Sequence, residues 1–160
     1  MKKNNIVFLD LDGVIVVGDK DDRMYPWGKH EPFDMRAVRV LNSIYDVIPF
    51  DIVLSSDWRN QFSMKNLVSM FEFFKVKANI VGVTRNSVNY IGTDLEGGRS
   101  EEINWYVDAH KDEIQAWVSV DDLKMYQLEH FVECPKWLEG IKQCGIKEKI
   151  IKELKSQLDE

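Results

Sequence analysis

The chain has 160 residues, of which 44% are hydrophobic and 30% charged. That mixture excludes disorder, collagen and coiled coil, and the length fits a single domain over 1–160 whose core buries roughly 70% of the extended-chain surface. With 21 basic against 27 acidic residues the net charge is −6, so the bulk field repels nucleic acid and anionic membrane, although a local basic cleft is still allowed.

Cys134 and Cys144 have neither metal-ligand spacing nor the density of a disulfide framework, which makes the cytoplasm the expected compartment. Lys2 and Lys3 precede an apolar stretch, Ile6 to Val17, but Asp10 and Asp12 interrupt it, unlike the h-region of a signal peptide. No apolar run approaches the length of about 18 residues needed to span a membrane.

In chain order, Ile6-Val7-Phe8-Leu9 is a wholly apolar, partly β-branched run, as expected of a strand buried on both faces. Turn formers dominate residues 14–33, which read as an irregular excursion. Val38, Leu41, Ile44 and Tyr45 recur at helical spacing and predict a helix over about 34–46. Ile52-Val53-Leu54 is a second buried strand, and Leu67, Val68, Phe71 and Phe74 mark a helix over roughly 62–75. Ile80 to Val83 reads as a third strand and Gly92 to Gly98 as a loop. Ser100 is then the expected cap of a helix that buries Ile103, Tyr106 and Val107. Trp117 to Val120 and His130 to Val132 complete five strands, and Ile150, Ile151, Leu154 and Leu158 define a last amphipathic helix.

Strands alternating with helices predict an α/β fold, a three-layer Rossmann-like, mostly parallel sheet with helices on both faces. Ligands of such sheets bind beyond the carboxyl ends of the strands. Three of the strands end in polar groups: Asp10-Leu11-Asp12-Gly13, Ser55-Ser56-Asp57-Trp58-Arg59 and Asp121-Asp122. Four carboxylates at one edge repel each other unless a cation neutralises them, and Mg²⁺ suits an all-oxygen site that also holds phosphate; Mn²⁺ satisfies the same ligands. Alternation along an extended chain lets Asp10 and Asp12 face one side while Leu11 packs inward. One carboxylate can attack phosphorus while the other handles the proton of the leaving group. Ser55 can donate to a phosphoryl oxygen, and Arg59 offers a bidentate contact.

These motifs resemble those of the haloacid dehalogenase-like (HAD) phosphohydrolases. Phe8-Leu9-Asp10-Leu11-Asp12-Gly13-Val14, Val53-Leu54-Ser55 and Val118-Ser119-Val120-Asp121-Asp122 match the first, second and fourth motifs in order. The resemblance implies that Asp10 is the nucleophile that forms an aspartyl-phosphate, and that Asp12 is the general acid and base. It also implies Mg²⁺ held by Asp10, the backbone carbonyl of Asp12 and the Asp121-Asp122 pair, with Asp122 as the direct ligand and Asp121 acting through water or Ser119. Arg99 is the candidate for the third-motif cation, with Lys111 as the alternative. Ser55, Ser56, Arg59 and Arg99 are the candidate phosphate contacts.

Leu54 to Arg59 and Arg99-Ser100-Glu101-Glu102-Ile103 further resemble the small phosphatase domain of Swiss Army Knife RNA repair proteins. Residues 14–32 suffice for a flap but not for a large cap, and an open site suits a nucleic-acid end. The implied activity is a phosphomonoesterase on polynucleotide termini. Free nucleoside monophosphates, with Tyr25, Trp27 and Trp58 available to stack, and a non-catalytic phosphate-binding module are the alternatives.

Overall fold

The computed structural model describes residues 2–17, 24–25, 28–29, 33–87, 95–136 and 138–159. The chain begins with β1 (Asn4–Leu9), a short antiparallel ladder of β2 (Met24–Tyr25) and β3 (Gly28–Lys29), and α1 (Met35–Val47). It continues through β4 (Asp51–Leu54), α2 (Met64–Phe73), β5 (Ile80–Val83), α3 (Leu95–His110), β6 (Ile114–Asp121), β7 (Phe131–Glu133) and α4 (Ile146–Leu158). The five longer strands form one sheet in the order β5-β4-β1-β6-β7, and every pairing in it is parallel.

The apolar run of β1 explains its central place. Val7 and Leu9 face one core with Ile52, Leu54, Val118 and Val120, covered by apolar residues of α1, α2 and α4. Ile6 and Phe8 face a smaller core with Val53, Trp117 and Ile103 of α3. A stretch with two buried faces has no polar position to offer, and Ile6–Leu9 has none; Asn4 and Asn5 stand where the strand emerges from the core. Strand order reverses at β1, between β4 and β6, so the crevice beyond its carboxyl end is the expected ligand position.

Local signals set the helix ends. Asp34 caps α1, its Oδ1 accepting from the backbone N–H groups of Arg36 and Ala37, and its Oδ2 accepts from Lys142. Burial pushes the Asp34 carboxyl up, but these hydrogen bonds prevail and hold it below the ordinary carboxylate range. The helix expected over 62–75 is shorter, and a 3₁₀ turn over Asp57–Asn60 precedes it.

The start of α3 corrects the sequence reading. Residues 95–98, read as loop, are helical, and Ser100 lies inside the helix with its hydroxyl donating back to the Glu96 carbonyl. The predicted flap falls largely outside the described residues, apart from the β2–β3 ladder. Cys134 is buried and Cys144 exposed. Among the described residues no helix is long and apolar enough to cross a membrane.

Candidate active site

The carboxyl ends of β1, β4 and β6 meet in register, Leu9 lying beside both Leu54 and Val120. The chain stays stitched beyond the strands: the Asp10 N–H donates to the Val120 carbonyl at 3.1 Å, and the Ser55 N–H to the Leu9 carbonyl at 3.0 Å. Leu11 is buried, and its carbonyl accepts from the N–H groups of Val14, Ile15 and Val16, which turns the chain sharply after Asp12. Gly13 makes that turn with φ of 80°. A Cβ there would lie 2.6 Å from Asp122 Oδ2, so the glycine serves both the backbone conformation and the close approach of two loops. Gly13→Ala is therefore expected to cost about 1–3 kcal/mol and to displace Asp122. A melting temperature and turnover both matching the parent would refute that account.

Asp10, Asp121 and Asp122 converge, with carboxylate oxygens all within 4.8 Å of one another. Arg99 is 4% exposed; its Nη1 lies 3.0 Å from Asp121 Oδ2 and 3.4 Å from Asp10 Oδ1, and its Nη2 lies 3.3 Å from Asp57 Oδ1. Burial alone would lower the Arg99 pKa, but Asp121, Asp10 and Asp57 raise it above the ordinary value, so the guanidinium stays charged. One guanidinium does not balance the cluster. Burial, then Asp121 and Asp122, push the Asp10 carboxyl well above the usual range despite Arg99. Burial and the hydrogen bond with Asp121 push Asp122 up to about 6. Three crowded carboxylates with an excess of negative charge and only oxygen donors fit a hard divalent cation. Asp10 and Asp122 open onto a cleft of about 180 Å³ that is also lined by Asp12, Asp57, Arg99 and Leu123, with Asp121 buried behind it.

Asp12 faces this cleft and is held there, its Oδ2 accepting from the Trp58 indole N–H at 3.0 Å. Ser55 is buried at the end of β4, and its hydroxyl has no hydrogen-bond partner among the described residues. That leaves its proton available to an oxygen arriving at the strand end.

The other candidate residues have these surroundings. Ser56 is buried and caps the 3₁₀ turn, its hydroxyl accepting from the Trp58 N–H. Arg59 does not line the cleft; its guanidinium donates to Glu102 Oε2 and Asn86 Oδ1, both at 2.8 Å, and to the Ser56 carbonyl. Arg59 and the buried Glu102 thus form an ion pair. Arg99, rather than Lys111 in the exposed turn after α3, reaches the carboxylates. Asp121 pairs with Arg99 and with the Leu123 N–H, whereas the Ser119 hydroxyl has no hydrogen bond among the described residues. Trp58 is 5% exposed and so is no stacking platform, while the Tyr25 and Trp27 side chains lie outside the described residues.

Sequence reasoning missed Glu102, Asp57 and the positioning part of Trp58. Glu102 follows Arg99 by three residues and so shares its helix face, a spacing legible once the helix start is placed correctly.

A parallel sheet reversing at a strand that ends in Asp-x-Asp-Gly, with a buried arginine over paired acids, defines the HAD-like phosphohydrolase class. The family model for the HAD domain in Swiss Army Knife RNA repair proteins matches residues 6–147, and the chain belongs to that family. Among curated proteins and solved structures none matches at a significant level.

Proposed function

We propose that the chain is a Mg²⁺-dependent phosphomonoesterase that works through an aspartyl-phosphate on Asp10 and removes terminal phosphate from nucleic-acid ends. The observation that carries this is the meeting of Asp10, Asp121 and Asp122 under Arg99, with Asp12 held beside them by Trp58.

An Asp10 carboxylate oxygen attacks the phosphorus in line, forming the O–P bond as the ester O–P bond breaks. Asp12, in its protonated form, gives its proton to the departing oxygen. It then takes a proton from water, whose oxygen attacks the same phosphorus and frees Asp10 and inorganic phosphate. Arg99 faces the phosphoryl oxygens while fixing the Asp10 and Asp121 carboxylates, and Ser55 donates its unshared hydroxyl proton. Phosphoryl transfer depends chiefly on such positioning and charge. Asp10, the Asp12 backbone carbonyl, Asp121 and Asp122 would hold Mg²⁺, which supplies positive charge for the phosphoryl group. The roles of Asp10 and Asp12 follow from the motif match, and the preference for a nucleic-acid terminus rests on the family of RNA repair domains.

The test is phosphate release from nucleoside monophosphates and from oligonucleotides carrying 3′- or 5′-phosphate, with Mg²⁺ and with chelator. Release from oligonucleotide ends that disappears on chelation is the expected result. Release from mononucleotides alone makes the chain a nucleotidase, and silence across the panel favours a binding module.

A further inference from the structure

A second groove, of about 340 Å³, lies between α3 and the edge strand β5, lined by Val83, Arg85, Glu102, Trp105, Tyr106 and His110. Its chemistry differs from that of the acidic protein around it. Arg85 is exposed and has no ion-pair partner among the described residues; its guanidinium carbon sits 4.2 Å from the centre of the Trp105 ring. Tyr106 and His110 stack at 4.0 Å with their planes 17° apart. The absence of a side chain at Gly82 lets Tyr106 lie against the strand, since a Cβ there would be 3.0 Å from its hydroxyl oxygen. Among the described lining residues the one carboxylate, Glu102, is buried and already engaged by Arg59 and the Ser87 N–H.

We propose that this groove seats single-stranded nucleic acid just inside its phosphorylated end, with a base stacked on Trp105 and a backbone phosphate on Arg85. The inference rests on the phosphatase reading above and adds where the rest of the strand lies. Two features point to this occupant. An unpaired cation beside aromatic faces is the combination that binds single strands, the base stacking and the phosphate pairing. The Arg85 guanidinium already covers one face of Trp105, which shows that the face takes a planar group, and a base takes its place as the guanidinium turns to the phosphate. The second feature is placement. Arg99, at the cleft, and Trp105 lie on the same helix, six residues apart, hence about 9 Å along its axis. That separation spans a few nucleotides at most, even at the duplex-strand rise of about 3.4 Å.

The experiment compares an eight-nucleotide single strand, as RNA and as DNA with terminal phosphate, with the corresponding nucleoside monophosphates. In Trp105→Ala the ratio of kcat/KM on the 8-mer to that on the mononucleotide is expected to fall about tenfold, through KM, as the loss of one base stack implies. Trp105→Phe should retain most of the ratio; an equal loss in both variants would mark a packing defect and overturn the stacking. Arg85→Gln should lower the ratio and flatten its salt dependence by about one phosphate contact. An unchanged ratio in Trp105→Ala overturns the proposal.

Binding separates this failure from that of the phosphatase reading. Fluorescence anisotropy with a labelled, phosphate-free 8-mer at low salt should show about tenfold weaker binding in Trp105→Ala whether or not the parent turns the strand over. Equal binding by parent and variant rejects the groove. A parent that binds but releases no phosphate keeps the groove and rejects the phosphatase.

Discussion

Asp10→Asn is expected to lower phosphate release by at least about 10⁴-fold, the scale on which loss of an attacking group registers, and to leave the protein more heat-stable than its parent in chelator. The two effects have one cause. Asp10 is 5% exposed and stands among other carboxylates, so its negative charge is held in an unfavourable place by the rest of the fold. An amide of the same shape cannot attack phosphorus, but it removes the repulsion from Asp121 and Asp122. Sites that concentrate charge for chemistry commonly lose stability by doing so. Each kcal/mol moves the melting temperature of a chain this size by about 2–4 °C, so relief appears as a rise of a few degrees. A variant both inactive and less stable in chelator would contradict the electrostatic account, and one still releasing phosphate would remove Asp10 as nucleophile.

The response to divalent cation should depend on pH in a defined direction. Free aspartate titrates near 3.9, whereas burial and neighbouring carboxylates put Asp122 at about 6 and Asp10 well above the ordinary range. Below about pH 4 these groups hold their protons in folded and unfolded chains alike. As pH rises further the unfolded chain loses protons that the folded site retains, so this contribution to stability falls through about pH 6 and remains unfavourable above it. A cation bound by the carboxylates reverses the penalty. At a hundredfold excess over Kd the gain is about 2.7 kcal/mol, or roughly 5–10 °C for this length. Mg²⁺ should therefore raise the melting temperature by that amount at pH 7.5 and by much less at pH 5, where protons compete. Equal shifts at both pH values, or none, would count against the carboxylate cluster as the metal site.

Sequence carried the sheet because the central strands hold short buried runs, Ile6–Leu9, Ile52–Leu54 and Trp117–Val120, broken only by Ser119, and it placed Asp10, Asp12, Ser55 and Asp121-Asp122 just after such runs. It failed where tertiary charge overrides local preference. Gly97 and Gly98 read as loop, but the helix runs through them: Ser100 bonds back to Glu96, and Arg99 and Glu102 anchor the inner face to buried partners. The surroundings of Arg59 were illegible for the same reason, since its partner Glu102 is 43 residues away. A partner that distant leaves no periodicity to read.

Helix α3 buries few apolar side chains, and Ile103 is the one fully enclosed among those described. It is held instead by Arg99 on Asp121 and by Glu102 on Arg59. Removing one member of a buried ion pair strands the other charge, at about 3–5 kcal/mol, a large share of what a domain has in hand. Single substitutions at these four positions are thus closed to neutral drift. Descendants of this chain can vary at exposed positions of α3 such as Asn104 and Asp108, yet each buried pair has to be inherited as a unit or exchanged in concert. Across diverging lineages positions 59 and 102, and positions 99 and 121, should change together or stay fixed together.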